Sequence, residues 1–327
     1  MLKKPIVKIF KKILNYPPFA EKSRGIIAKA IVILVGSLKI KNADFTHYDF
    51  FEYWQKNGFS IIPNNFYQPI PDFSSMNQRS LSNVSSLEGI DMHEKGQMNL
   101  LGKFAKFKKE YERIPLKGDS QGHVFYFKNL AFDGVDALVY YCMIRYFKPK
   151  NIIEVGSGWS TKIAAQAVLK NGQGELISIE PYPQPFMQRT FPGLFKVIAK
   201  KVEELPLSTF GQLTDGDILF IDSSHTVKTQ GDVNYLFLEV LPRLNKGVII
   251  HIHDIFFPFD YPKDWIIKEH RSWGEQYLLQ AFLMFNDSFK IIYSNSFMGY
   301  KYLKNVKKVF SKSPFYKGGS IWIQRVK

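Results

Sequence analysis

The sequence predicts an α/β fold whose main part, residues 133–327, is a mostly parallel sheet with helices on both faces. Three observations lead there. Short β-rich apolar runs alternate with helical patterns from about residue 133 onward. The first of these runs, Asn151–Val155, opens directly into a glycine turn and a helix start, Gly156-Ser157-Gly158-Trp159-Ser160-Thr161. The last two runs, Phe289–Ser294 and Ser320–Arg325, show no convincing helical pattern between them, so they predict a C-terminal antiparallel hairpin.

In order, Asp136–Phe147 reads as a helix stopped by Pro149, and Asn151–Val155 as a strand buried on both faces. Helix Thr161–Leu169, strand Leu176–Glu180 and strand Phe195–Ala199 follow. Then come strand Ile218–Asp222, helix Asp232–Leu241, strand Val248–His253 and helix Glu275–Phe285. Asp133 and Asp136 stand where negative charge favours a helix N-terminus.

Two segments precede this domain. Residues 46–132 read as an irregular accessory region. It has a short helix near Tyr48–Asn57, a proline-stiffened stretch from Gly58 to Asp72, a Ser/Asn-rich stretch, and a helical stretch from Glu94 to Tyr111. Residues 1–45 form a basic, amphipathic helical leader, in which Ile6, Ile9, Phe10, Ile13 and Leu14 recur at helical spacing among lysines.

The net charge of +15 is concentrated there: residues 1–41 hold nine lysines and Arg24 against Glu21, so +9 falls within them. Such a cluster favours anionic surfaces, and the leader could lie on an anionic membrane or pack on the domain. The apolar run Ile26–Leu38 is shorter than the about 20 residues that span a bilayer. The expected location is therefore cytoplasmic, with peripheral contact at the inner face of the membrane as the further option. The chain beyond the leader has modest charge and no nucleic-acid-binding signature. The single cysteine, Cys142, lies in an apolar helix and reads as a buried, inert thiol.

Two constellations carry chemistry. In the first, glycines at 156 and 158 let the backbone approach a ligand at the carboxyl end of the first strand. Glu180 ends the next strand, 24 residues after Gly156, where a carboxylate can accept both hydroxyls of a ribose. A dinucleotide site would want a third glycine where Thr161 stands, and Glu154 before the loop suits an ammonium group better than a pyrophosphate. In the second, strands ending in Asp222 and in His253-Asp254 reach the same sheet edge, with His225 three residues after Asp222. Carboxylates with imidazole suit a divalent cation such as Mg²⁺ or Mn²⁺, and a nearby histidine can take a hydroxyl proton. The bland alternative is that His225 and His253 only satisfy hydrogen bonds. His251, mid-strand, reads as structural.

The segment Glu154-Val155-Gly156-Ser157-Gly158 resembles the first motif of the class I S-adenosylmethionine-dependent methyltransferases, with their Rossmann-like sheet, over roughly residues 133–325. The resemblance implies cofactor contacts from Glu154, Gly156, Ser157, Gly158, Ser160, Thr161 and Glu180. Asp222-x-x-His225 and His253-Asp254 resemble the metal-dependent O-methyltransferases of sugars and macrolide-attached sugars, and more distantly catechol O-methyltransferase. That resemblance implies His225 as base, Asp222 as a catalytic metal ligand, and Asp222, His253 and Asp254 around the metal. His253 departs from it, since the family often has a carboxylate there.

The expected activity is methyl transfer to a saccharide or glycoconjugate hydroxyl. The alternatives are a phenol, amine or peptide acceptor, or a non-catalytic cofactor-binding scaffold held to a membrane by the leader. The aromatic loop Ile255–Pro262 with Trp265 is a candidate acceptor wall, and Gly58–Asp72 a candidate opposite wall.

Overall fold

The computed structural model describes residues 20–37, 51–62, 64–76, 80–118, 124–188 and 191–327. The amphipathic stretch expected over residues 2–14 lies outside them. Contacts divide the chain into two units, Met1–Met76 and Asn77–Lys327, so the boundary falls inside the 46–132 accessory region.

In the N-terminal unit, Ala20–Ser37 is one helix and Phe51–Lys56 a second. Ile26, Val32, Ile33 and Leu34 of the first are each more than 60% exposed. No described helix is long and apolar enough to cross a membrane. The stretch from Gly58 to Asp72 is irregular where described.

The second unit is built on seven strands: β1 Asn151–Val155, β2 Glu175–Ile179, β3 Lys196–Ile198, β4 Ile218–Ile221, β5 Ile249–His253, β6 Phe289–Ser294 and β7 Ser320–Arg325. Their spatial order is β3-β2-β1-β4-β5-β7-β6. β1 to β5 pair in parallel, and β7 runs antiparallel to both β5 and β6. Parallel strands are covered on both faces, and β4 and β5 are accordingly buried along their whole lengths. The helices Gly134–Phe147 and Trp159–Asn171 pack on the sheet and against each other.

This is the Rossmann-like sheet that the alternation predicts, with two differences at its end. The antiparallel pair β6–β7 is real, but helices Asn295–Lys301 and Leu303–Val309 separate its strands, so it is not a tight hairpin. Only Val306 of the second helix is buried, which leaves too little apolar periodicity to read. The stretch expected as a helix over Asp232–Leu241 begins as α, widens to π over Tyr235–Val240 and ends as a 3-10 turn at Leu241–Arg243. Pro242 has no N–H for the regular ladder there.

Residues 80–132 belong to this unit. Helix Glu94–Phe104 buries Leu101 and Phe104, and the Phe104 ring lies 5.6 Å from that of Tyr293 on β6. Gln97 accepts a hydrogen bond from the Ser294 backbone N–H at 2.8 Å, and Glu110 pairs with Arg145 at 2.8 Å. Asp133 and Asp136 make no side-chain cap on the helix Gly134–Phe147. Asp136 instead accepts from Ser320 Oγ, Asn295 Nδ2 and the Gly319 N–H, and so ties that helix to β7.

Candidate active site

At the end of β1, Gly156 has φ +80°, and a Cβ there would stand 1.7 Å from the Asp222 carbonyl oxygen. Only glycine lets this turn press against the end of β4, and that contact brings Asp222 beside the loop. Glu180 fixes the same loop. Its carboxylate accepts the Ser157 N–H at 3.2 Å and the Tyr182 N–H at 2.8 Å. Ser178 Oγ donates to Ser157 Oγ at 2.6 Å. A cavity of about 510 Å³ opens over these strand ends, and Gly156, Glu180, Tyr182, Val202, Glu203 and Asp222 are among its walls.

Glu154, Ser157, Gly158, Ser160 and Thr161 are not among that cavity's walls. The Gly158 N–H donates to Thr161 Oγ1 at 3.1 Å, which starts the helix. Glu154 is fully buried and accepts from the Tyr140 hydroxyl at 3.0 Å. Burial pushes its carboxyl up to about 7, against the hydroxyls of Thr161, Tyr140 and Ser160 beside it.

The second cluster forms where β4 and β5 end. His225 has φ +57° and Asp254 φ +55°, both in the left-handed region that costs a side-chain-bearing residue roughly 1–2 kcal/mol. Strain of this kind gathers at functional sites. Asp232 steadies the His225 loop by accepting from the N–H and the hydroxyl of Ser224, each at 2.7 Å. The N–H groups of Gly274 and Glu275 both donate to the His225 carbonyl.

The His225 ring is held between two sets of carboxylates. Nδ1 lies 2.8 Å from Glu275 Oε2, and Nε2 lies 3.2 Å from Asp222 Oδ1 and 3.5 Å from Asp254 Oδ2. An ionised carboxylate only accepts, so Nδ1 carries a proton and Nε2 is the atom presented to the two aspartates. Trp273 covers the ring at 4.2 Å between centroids. His253 Nδ1 lies 3.4 Å from Asp222 Oδ1 and 3.5 Å from Asp254 Oδ1.

Burial disfavours charge on both imidazoles, but the carboxylates win. Bonds to Asp222 and Glu275 hold His225 up at about 11, and Asp254 and Asp222 hold His253 up at about 10. Burial alone would raise Asp222, yet His253 and His225 bring it well below the usual carboxylate range. Burial keeps Asp254 and Glu275 raised. The carboxylates around them thus favour the charged form of both imidazoles.

Asp222, His225 and Asp254 offer ligand atoms that all lie within 4.8 Å of one another, a set that a divalent cation can use. His253 is not part of that set, although the sequence places it with the metal ligands; it faces the two aspartates from its Nδ1 side. His251 is fully buried, stacks on Phe220 at 4.3 Å, and burial holds it neutral, so it has the structural place expected of it.

A second cavity, about 670 Å³, lies on the other side of this cluster. Asp222, His253, Asp254, Phe256, Trp265 and Tyr316 are among its walls. Asp222 thus borders both cavities. Of the aromatic loop, Phe256 and Trp265 do face this cavity, while Phe257 and Tyr261 are buried. Gly58–Asp72 belongs to the other unit. His225 is only 6% exposed and borders neither cavity.

Sequence reasoning missed Glu275 and Trp273. Nothing local marks them, because they meet His225 only through the tertiary fold.

A protein of Archaeoglobus fulgidus without an assigned activity is 28% identical over 180 residues, which is 51% of this chain and 81% of the relative. Two solved structures are loosely similar. The O-methyltransferase TomG from Streptomyces achromogenes, involved in tomaymycin synthesis, shares 13% identity at a TM-score of 0.37, over 70% of this chain and 90% of that one. An O-methyltransferase from Bacillus cereus shares 10% at 0.35, over 70% and 91%. Likeness of that degree says nothing of what this chain acts on. Residues 153–255, from β1 to just past β5, match a family described as a methyltransferase domain, and they contain Gly156, Glu180, Asp222, His225, His253 and Asp254.

Proposed function

We propose that this protein is an S-adenosylmethionine-dependent O-methyltransferase acting on a saccharide or glycoconjugate hydroxyl. The observation that carries this reading is that Asp222 borders both cavities, so a donor and an acceptor could meet at one carboxylate. The match of residues 153–255 supports the class of reaction.

The chemistry of the first cavity fits the cofactor. Glu180 is a carboxylate at a strand end, suited to a ribose diol, and Gly156 lines the same cavity beside it. When bound there, S-adenosylmethionine would supply a methyl group on a sulfonium, leaving as S-adenosylhomocysteine once the acceptor oxygen bonds to that carbon. The chain's own residues align the acceptor and remove its proton. The aromatic faces of Phe256 and Trp265 suit a sugar ring. His225 would receive the hydroxyl proton at Nε2 through the Asp222 side of the cluster, with Glu275 keeping the ring in place.

Only the neutral imidazole can act as base, so a proton on Nε2 has to pass to bulk solvent before the hydroxyl proton is taken. Positive charge bound beside Asp222 lowers the cost of that loss, because it competes with the imidazolium for the same carboxylate. In place of that base role, a divalent cation held by Asp222, Asp254 and His225 Nε2 would supply Lewis acidity for the hydroxyl.

We further infer that the basic leader and the exposed apolar residues of helix Ala20–Ser37 give peripheral contact with anionic membrane. The main reading is tested by calorimetry with S-adenosylhomocysteine and by transfer of labelled methyl to sugars, phenols and amines. Binding of NAD in preference to S-adenosylhomocysteine would sink it.

A further inference from the structure

The cavity beside Asp254 has a charged rim that methyl transfer does not require. Arg271, Lys307 and Lys317 all line it, together with Asp133, Asp136, Asp222 and Asp254. The two groups differ in what they already hold. Asp136 is occupied by Ser320, Asn295 and Gly319, and Asp222 and Asp254 face the imidazoles of His225 and His253. Asp133 accepts the Lys128 N–H, and burial raises its pKa toward the neutral form.

The two lysines are less engaged. Lys307 and Lys317 are exposed and pair with no carboxylate among the described residues, and Lys307 lies 5.4 Å over the ring of Tyr316. Arg271 is clamped between Trp265 at 4.1 Å and Trp273 at 4.5 Å. Glu269 takes its Nε and Nη2 edge, which leaves the Nη1 side of the fork. Trp273 also covers His225, so this guanidinium stands one indole away from the proposed base. Lys307 and Lys317 are therefore the rim cations with no carboxylate against them among the described residues, and Arg271 keeps one edge of its fork open beside them.

Resting on the methyltransferase reading, we propose that the acceptor carries an oxyanion, a phosphate or a carboxylate. Arg271, Lys307 and Lys317 hold that group while a hydroxyl of the same molecule lies at Asp222, His253 and Asp254. The cavity's 670 Å³ suits a sugar-sized ligand with one such substituent. Arg271, stiffened by its two tryptophans, would give orientation, and the two lysines would act as point charges.

The test is calorimetry on the full chain saturated with S-adenosylhomocysteine, using glucose 6-phosphate, glucuronate and glucose as probes. At low salt the anionic probes should bind at least about tenfold tighter than glucose, as complementary charges in a cleft predict. Whichever of the two binds tighter tells phosphate from carboxylate. Lys307→Gln with Lys317→Gln should remove the preference, and Lys307→Arg with Lys317→Arg should keep it. Equal binding of all three probes, binding of none, or an unchanged preference in the glutamine variant overturns the proposal. Loss of S-adenosylhomocysteine binding itself would instead strike the methyltransferase reading, which this titration measures separately.

Discussion

Glu275 accepts the Nδ1 proton of His225 at 2.8 Å across 50 residues of sequence, and both partners are buried. The same residue's N–H also donates to the His225 carbonyl. One helix start thus sets both the backbone and the ring of the proposed base. Glu275 touches neither cavity, so it is a positioning residue. Glu275→Gln should leave S-adenosylhomocysteine affinity unchanged and lower turnover by about 10–100-fold, the usual worth of a group that orients a functional imidazole. It should also shift the pH profile to lower pH, because His225 loses one of the carboxylates that raise it. A variant with reduced activity and an unmoved profile would assign Glu275 a purely structural role.

Glu180 has two duties that can be separated. Its carboxylate already holds the Ser157 and Tyr182 N–H groups, and the proposed ribose contact adds to these. Glu180→Ala should weaken S-adenosylhomocysteine binding by about 1–3 kcal/mol, the loss expected for charge-assisted bonds. Calorimetry on the purified variant checks it, and unchanged affinity would place the ribose elsewhere.

What was legible in the sequence follows from how local each signal is. β4 and β5 read clearly because strands covered on both faces are continuous apolar runs, as Ile218–Ile221 shows. Asp222, His225, His253 and Asp254 could be grouped because parallel strands put their carboxyl ends on one edge. The helices at Asn295–Lys301 and Leu303–Val309 were not legible, since Gly299 and four lysines dilute their apolar pattern. Arg271, Trp273 and Glu275 were beyond reach for another reason. Their segment meets the His225 loop only after folding, and no spacing records that approach.

Glu154 makes stability depend on pH. Its folded pKa is raised from the ordinary 4.5 to about 7, by burial first. Between those values the unfolded chain has lost the proton and the folded chain keeps it, so raising pH disfavours folding. The contribution is full below 4.5 and is lost as pH passes about 7, on the order of 3 kcal/mol in all. Urea unfolding of wild type and Glu154→Gln from pH 4.5 to 8 should show the gap between them changing in that window. Parallel curves would show that Glu154 stays ionised in the folded protein.

The leader carries +9 within residues 1–41, and helix Ala20–Ser37 exposes Ile26, Val32, Ile33 and Leu34. The full chain should therefore co-sediment with anionic vesicles at low salt and be released as salt screens the charge. Deleting residues 1–41 should abolish sedimentation. Equal sedimentation of the truncated protein would rule this contact out.

His225 and the cation compete for one atom. Nε2 faces Asp222 at 3.2 Å and Asp254 at 3.5 Å, and it is also the third donor of the possible metal set. It can take a proton or bind an ion, but not both at once. His225→Ala should keep S-adenosylhomocysteine binding and lower methyl transfer by about 10²–10⁴-fold, the range for a general base. If an ion is used, Asp222→Ala and Asp254→Ala should fall similarly, and EDTA should silence the wild type until Mg²⁺ or Mn²⁺ is restored. If none is used, EDTA should leave the rate alone, with His253 Nδ1, 3.4 Å from Asp222 and 3.5 Å from Asp254 and favoured in its charged form by them, standing where the ion would. His253→Asp then becomes the informative variant. It replaces that imidazole with a carboxylate, so an EDTA-insensitive wild type should yield a variant whose activity depends on added divalent ion. A His225→Ala enzyme with near-normal turnover on its true acceptor would show that His225 is a structural residue.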